Sequence, residues 1–315
     1  MRQRSNNRIR LTLAVVAVLS CMFAAVATAA TIVGTDGPDA LEGTDTRDRI
    51  AGKDGDDTVN ARAGRDRVFG GKGDDTLSGN AGPDRVRGGA GDDRVEGGDA
   101  GGDGRRGDRL FGNAGNDQVL GGVGRDILRG NAGDDLLRGN RGRDRAFGGP
   151  GSDQVYGGDA GADGKRGDRL HGGADNDLVV GGLGRDVMSG GAGDDKQRGG
   201  RGRDVIYANQ GRDESFGGPG NDVLWALSQK DVTGPGDTAG DILRGGAGND
   251  LFLVRDGEQD VVDCGRGRRD RVIADFEDVL IRCERTVRVE RAKPTPETDD
   301  QEERTENPPE DDDES

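Results

Sequence analysis

From residue 34 to residue 252 the chain places one inward-directed apolar residue in each nine-residue unit, against a background of glycine, aspartate and arginine. The run Gly70-Gly-Lys-Gly-Asp-Asp-Thr-Leu-Ser78 states the unit, and Gly88-Gly-Ala-Gly-Asp-Asp-Arg-Val-Glu96 states it again. The last three residues of a unit, such as Thr76-Leu77-Ser78, predict a short strand of about 10 Å with its middle side chain turned inward. The glycines at positions one, two and four supply the backbone freedom for a tight loop between strands. A unit this small buries nothing by itself, so the units must stack. Leu41, Ile50, Val59, Val68, Leu77, Val86 and Val95 then form two thin columns, one per side, as parallel strands pair between coils. The inward position fails at Ala146, Gln197 and Ser215, which marks those coils as the weakest.

The phase of the repeat organises the chain. Units begin at 34, 43, 52, 61, 70, 79 and 88, and a fifteen-residue unit, Gly97 to Phe111, follows. Regular units resume at 112, and a second fifteen-residue unit, Gly157 to His171, interrupts them again. A nineteen-residue unit, Ala226 to Arg244, precedes the last clear one at Gly245. A period of eighteen lies over the nine. Asp56, Asp74, Asp92, Asn116, Asp134, Ser152, Asn176 and Asp194 precede the position-six aspartate in one set of units. Arg47, Arg65, Arg125, Arg143, Arg185 and Arg203, with Pro83, Gly107 and Gly167, precede it in the other. With two units per coil, the sets fall on opposite sides, and both fifteen-residue insertions project from the arginine side. The alternation slips at Arg212-Asp213, as though a unit had been added there.

The expected architecture is therefore an all-β, right-handed parallel β-roll (β-solenoid) of about eleven two-strand coils, roughly 50 Å long at β-sheet spacing. Residues 31–253 form the roll. Residues 254–285 form a C-terminal cap, in which Asp260 to Ala274 reads as a degenerate coil and Val279-Leu280-Ile281 as a closing strand that stops further pairing. Residues 286–315 turn to Glu, Asp and Pro, the composition of a disordered acidic tail.

Composition sharpens the problem of what holds such a roll together. Of 315 residues, 30% are apolar, 3% aromatic and 34% charged, with 61 glycines, which approaches the signature of disorder. So thin a core leaves stabilisation to something outside the chain. Residues 1–30 carry the pattern of a secretory signal: Arg2, Arg4, Arg8 and Arg10, an apolar run from Leu11 to Val26, and Ala27-Thr28-Ala29 as cleavage site. A retained anchor is the alternative, but the stretch is short for a span; Val18-Leu19-Ser20-Cys21 only partly resembles a lipidation signal. Cleavage predicts a secreted, extracellular product with no membrane insertion and a net charge more negative than the full chain's −16. That sign excludes nucleic acid as a partner and favours divalent cations. It also leaves two cysteines, Cys264 and Cys283, and an even pair in an oxidising compartment predicts one disulfide across the cap.

The position-six aspartates supply the candidate chemistry. Stacking coils at about 4.8 Å sets like charges in a ladder, which is unfavourable without counter-ions. Calcium takes six to eight oxygens from carboxylates and backbone carbonyls, and glycine-rich loops turn several carbonyls toward one point. The nonapeptide Gly-Gly-x-Gly-x-Asp-x-apolar-x resembles that of the RTX (hemolysin-type) calcium-binding repeat family. The resemblance implies multiple Ca2+ ions held between the loops of successive coils by carbonyls and position-six aspartates. Carried over unit by unit, the ligands are Asp39, Asp48, Asp57, Asp66, Asp75, Asp84, Asp93, Asp108, Asp117, Asp126 and Asp135. The series continues with Asp144, Asp153, Asp168, Asp177, Asp186, Asp195, Asp204, Asp213, Asp222, Asp241 and Asp250. Units opening Gly34-Thr, Gly43-Thr, Ala61-Arg and Ala208-Asn lack the second glycine, and Asp175 replaces the third glycine in another. Arginine at position five is able to pair with the aspartates in place of metal, which ranks the Asp/Asn side first for tight sites.

Other motifs weigh little. Asp99–Gly104 and Asp159–Gly164 echo the start of an EF-hand loop but lack its third- and twelfth-position ligands. Arg106-Gly-Asp108 and Arg166-Gly-Asp168 are already explained by the repeat, and Gly71-Lys-Gly is no phosphate loop. The single histidine, His171, cannot make a two-histidine zinc helix, and no segment outside the repeat is long enough for an enzyme domain. The expectation is a non-catalytic, secreted calcium-binding protein, or an adhesion protein that meets an unidentified cell-surface partner through the insertion-bearing face.

Overall fold

Each unit contributes one strand, and successive strands alternate between two parallel sheets. The computed structural model describes residues 29–99, 107–160, 167–226 and 240–289. The first sheet has fourteen strands, from Thr31–Val33 to Arg285–Arg288, and the second thirteen, from Ala40–Glu42 to Val279–Ile281. Pairing is in register at a spacing of eighteen residues, as in Arg49↔Arg67 and Val59↔Leu77. Two units therefore make one coil, and the inward apolar residues stack on their own kind: Ile50 on Val68 on Val86 in the first sheet, Leu77 on Val95 on Val119 in the second. The fold is the expected β-roll, with about thirteen turns rather than eleven. The extra strands come from the ends. Thr31–Val33 pairs ahead of the first glycine-bearing unit, and Val261–Asp263, Arg271–Ala274, Val279–Ile281 and Arg285–Arg288 continue both sheets through the degenerate C-terminal segment.

Strands are also longer than three residues over most of the roll. Thr76–Ala81 and Arg67–Lys72 span six residues, running past the apolar triplet into the first residues of the next unit. Burial along them alternates, and the two inward positions are the apolar residue and the next unit's first glycine. Position two then turns the chain with a positive φ. Gly71 has φ +140°, and at the same position Asn80, Asn113, Asn131, Asn140 and Asn209 have φ between 65° and 91°. Asparagine tolerates this left-handed region better than other side chains, which is why Gly-Asn units interrupt nothing.

Strands keep alternating between the sheets through Arg212-Asp213, with Asp195 donating its N–H to Asp213 eighteen residues on, and residue type changes side there as the slip in the sequence pattern implies. What changes is chemistry: Arg212 stands on the side previously lined by Asp and Asn, while Asn221 and Asn249 stand on the former arginine side. Residues 100–106 and 161–166, within the two fifteen-residue units, lie outside the described residues. Both separate a second-sheet strand from a first-sheet strand, so both interrupt the roll at one edge. The nineteen-residue unit separates Val223–Trp225 from Ile242–Ala247 and interrupts the opposite edge; its residues 227–239 are likewise outside the described set, as are the N-terminal segment with Cys21 and residues 290–315.

Gln197 and Ser215, where the inward pattern fails, are buried but paired. Ser215 donates to Gln197 Oε1 (2.6 Å), and Gln197 Nε2 donates to the Tyr207 carbonyl (2.7 Å). Cys264 and Cys283 form a disulfide, Cα–Cα 5.2 Å, linking successive coils at the ends of Val261–Asp263 and Val279–Ile281. Among the described residues no helix is long and apolar enough to cross a membrane.

Candidate metal centre

The strand register places the position-six aspartates in two ladders, one at each edge of the roll. One Oδ of every rung is spoken for. Asp66 Oδ1 accepts the N–H of Asp48 (2.7 Å), Asp84 Oδ1 that of Asp66 (2.7 Å), and Asp108 Oδ1 that of Asp84 (2.7 Å), across the first fifteen-residue insertion. The opposite ladder runs the same way through Asp57, Asp75, Asp93, Asp117, Asp135, Asp153, Asp177 and Asp195. Each aspartate carbonyl in turn accepts from the strand of the next coil, as Asp48 does from Arg67 (2.9 Å). The carboxylate thus locks adjacent coils at the point where the loop ends and the strand begins.

At most rungs the other oxygen has no hydrogen-bond partner. Oδ2 is buried and without a hydrogen bond in Asp57, Asp66, Asp75, Asp84, Asp93, Asp108, Asp117, Asp126, Asp135, Asp144 and Asp153. The same holds for Asp168, Asp177, Asp186, Asp195, Asp204, Asp222 and Asp250. A buried carboxylate oxygen left unpaired is costly. In most units the room beside it is left by a glycine at position one, with Ala61 in its place in the unit of Asp66. A Cβ on Gly139 would stand 2.6 Å from Asp144 Oδ2 and 2.8 Å from the Gly157 carbonyl oxygen of the next coil. On Gly217 it would stand 2.6 Å from Asp222 Oδ2 and 2.7 Å from the Gly245 carbonyl. An anionic oxygen and a carbonyl oxygen from consecutive coils therefore face one small cradle, rung after rung.

Burial makes these carboxyls hard to ionise. It pushes Asp84, Asp144 and Asp177 up to about 8, and Asp93, Asp108 and Asp117 up to about 7. The N–H of the preceding rung pulls each value down, and neighbouring rungs of the ladder, such as Asp108 beside Asp84, push it further up. Arg125 and Arg143 pull Asp144 and Asp168 downward through space, but burial outweighs them. Among the described residues no ion pair joins Arg47, Arg65, Arg125, Arg185 or Arg203 to a ladder aspartate. The pairs present, Lys53–Asp36, Arg62–Glu42, Lys72–Asp54, Arg94–Glu96 and Arg282–Asp263, all use carboxylates outside the ladders. At these five positions arginine does not pair with the ladder carboxylates.

The donor set is oxygen only. Among the described residues no three His, Cys, Asp or Glu side chains converge as a metal group, so carbonyls must complete any coordination shell. Carboxylate plus several carbonyls suits a hard divalent cation of calcium's size and does not suit zinc or copper. The RTX calcium-binding nonapeptide repeat matches residues 33–68, 42–77, 69–101, 101–137, 129–161, 164–196, 198–224 and 235–257. The chain belongs to this family. Repeat and fold together point to a calcium-binding β-roll. No relative among curated proteins matches it.

The rungs of this RTX roll are not equal. Asp39 Oδ2 accepts from the N–H (2.6 Å) and hydroxyl (3.0 Å) of Thr35, and Asp48 Oδ2 from the N–H (2.6 Å) and hydroxyl (3.0 Å) of Thr44. In these two units threonine at position two fills the cradle from within, and the hydrogen bonds to Thr44 and Ala30 help hold the Asp48 carboxyl below its ordinary value against the opposing effect of burial. At the other end the RTX ladders continue into residues the repeat pattern did not single out. Asp241 donates its N–H to Asp260 and Asp260 to Asp278, and Asp250 donates to Asp270. Asp260 and Asp270 carry the same unpartnered Oδ2. Their signal in the sequence is the surviving Asp-x-apolar triplet, Asp260-Val-Val and Asp270-Arg-Val, with Gly257 ahead of the first and Gly265 and Gly267 ahead of the second, off the Gly-Gly-x-Gly pattern.

The two edges differ at position five as well. There Asp74 donates its N–H to Asp56 Oδ1 (2.9 Å), Asp92 to Asp74 (2.8 Å), Asn116 to Asp92 (2.7 Å) and Asp134 to Asn116 (2.8 Å). This outer ladder is exposed and runs opposite in sense to the inner one. It brings a second side-chain oxygen to each coil on the Asp/Asn edge.

Proposed function

We propose that the chain is a secreted protein whose roll folds as calcium ions enter between its glycine-rich loops after export. The observation that carries this reading is the row of buried carboxylate oxygens without a hydrogen bond, most of them beside a glycine cradle. An apo roll must hold those oxygens protonated or unsatisfied, whereas a calcium ion neutralises the charge and gathers the oxygens into one coordination shell. The proposed ligands are the position-six aspartates from Asp57 to Asp250, extended to Asp260 and Asp270. Asp39 and Asp48 act as threonine-capped starting rungs. The Asp/Asn edge, with its additional ladder, holds the tighter sites. Export fits the leader pattern of residues 1–30, and the organisation is that leader, a roll over 31–253, a disulfide-stapled cap over 254–285 and an acidic tail over 286–315.

Circular dichroism in EDTA and then in millimolar calcium tests the proposal. The β-signal appears on calcium addition if the reading holds; equal β-content in both conditions ends it. A second reading, an extracellular adhesion or envelope-interaction protein, draws on the two insertions that interrupt one edge. It counts on retention of the calcium-loaded chain by cell-envelope fractions, and loss of retention when both insertions are shortened.

A further inference from the structure

Position five of a loop donates its N–H toward the coil before it. On the Asp/Asn edge Asp56, Asp74, Asp92, Asn116 and Asp134 supply the accepting oxygen, at 2.7–2.9 Å. The opposite edge makes the same bond where an asparagine returns to position five, as Asn249 donates to Asn221 Oδ1 (2.8 Å). One and two coils before Asn221, position five is Arg203 and then Arg185, and a guanidinium accepts no hydrogen bond. The N–H groups of Asn221 and Arg203 accordingly have no acceptor among the described residues.

These residues line a groove of about 670 Å³ that crosses four successive loops, from Gly184-Arg185 to Ala247-Gly248. Arginines without an ion pair are common on this chain, so that alone singles out nothing. What singles out the groove is that Arg185, Arg201 and Arg203 converge on it, beside two open N–H groups, with no acidic side chain among its lining residues. The equivalent place sixty residues earlier, at Arg125, Arg141 and Arg143, is built differently. There Arg141 has Asp159 as its cross-strand neighbour, whereas Arg201 stands opposite Leu183, and the next coil brings Pro219 to the same position.

Guanidinium forks match the oxygens of an anion two at a time, and fixed N–H groups add directional donors. The ladder carboxylates of the same coils, Asp186, Asp204 and Asp222, oppose an anion only when ionised. Burial raises them to about 6, 7 and 7, and on the calcium reading the bound ion neutralises them. We propose that this groove binds a tetrahedral oxyanion, a sulfate or phosphate group, in the place that a carboxylate or carboxamide oxygen holds between the other loops.

Amide NMR of the calcium-loaded chain, titrated with sodium sulfate at fixed ionic strength, tests this. The Arg203 and Asn221 amide signals should shift together and saturate, with a dissociation constant on the order of 1 mM. Arg185→Ser/Arg201→Ser, with β-content checked by circular dichroism, should weaken binding at least about tenfold, because charge-assisted hydrogen bonds are lost. Arg203→Asn sets an amide oxygen beside the Asn221 N–H, as Asn221 does for Asn249, and should abolish the saturable shift. Arg212→Ser, on the other edge, where Asp194 already caps the N–H (2.9 Å), should leave affinity unchanged. Glucose 6-sulfate separates the two sources of the group: tighter binding than inorganic sulfate assigns the groove to a sulfated sugar, weaker binding to the free ion. Shifts that never saturate, that spread over both edges, or that ignore Arg185→Ser/Arg201→Ser and Arg203→Asn each overturn the proposal.

Discussion

Asp48 and Asp66 occupy the same position of the repeat, on the same edge, one coil apart, and their second carboxylate oxygens meet opposite fates. Thr44 supplies Asp48 with an N–H and a hydroxyl, while Asp66 has the same first-oxygen contact and nothing for the second. Asp48 lies in a unit opening Gly43-Thr44 and Asp66 in one opening Ala61-Arg62, so the protein completes the first carboxylate and leaves the second oxygen of the other open. On the proposed reading the N-terminal coil is a start that needs no metal, and most of the coils stacked on it take one.

The largest effect should come from closing an open cradle. Gly139→Ala drives a methyl against Asp144 Oδ2 and the Gly157 carbonyl, and should lower the stability of the calcium-loaded roll by about 3 kcal/mol. At Gly37 an added methyl would meet nothing within 4 Å, so alanine there should be tolerated within about 0.5 kcal/mol. Hydrogen exchange of the flanking coils measures both.

Next is the conversion of a capped rung into an open one. Thr44→Gly strips Asp48 of the hydroxyl donor to its second oxygen and leaves the residue-44 N–H in place, which should destabilise the first coil by about 1 kcal/mol in EDTA. Added calcium should then recover protection there, as it does not in the unaltered chain. If Thr44→Gly leaves the first coil indifferent to calcium, the role assigned to position two is wrong.

Acidity sharpens the same contrast. The open rungs' carboxyls are raised from an ordinary 3.8 to values of about 8 at Asp84, Asp144 and Asp177. Between those limits the folded apo chain binds more protons than the unfolded chain, so its stability rises as pH falls. In EDTA, β-content should be greater at pH 5 than at pH 8, while apparent calcium affinity moves the other way, because the proton and the ion compete for one oxygen. Thermal melts and calcium titrations at the two pH values decide it.

The smallest effect lies in the core. Gln197→Leu breaks the Ser215–Gln197–Tyr207 chain and should cost about 1 kcal/mol, whereas Gln197→Leu/Ser215→Val should be near neutral because no polar side chain is left unpaired. Denaturant titration in calcium measures the difference.

Much of this was legible in the sequence because a solenoid turns period into geometry. The nine-residue phase located the inward columns, and the alternation at position five separated the two ladders. The limits are equally physical. Strand length depends on whether the first glycines of the next unit stay extended, and nothing in their identity says so. Thr35 and Thr44 read as defects in the motif because a missing glycine was visible and the hydrogen bonds of its replacement were not. Asp260 and Asp270 escaped notice as ladder members because their glycines have lost the Gly-Gly-x-Gly spacing, while the pairing register continues.

The most direct measurement is the number of calcium ions bound per chain at saturation, by equilibrium dialysis, rung by rung. Asp117→Asn and Asp135→Asn should each lower the count, and Asp48→Asn should leave it unchanged. A count that falls equally with Asp48→Asn, or that ignores Asp117 and Asp135, contradicts the claim that calcium completes the carboxylates the protein leaves open.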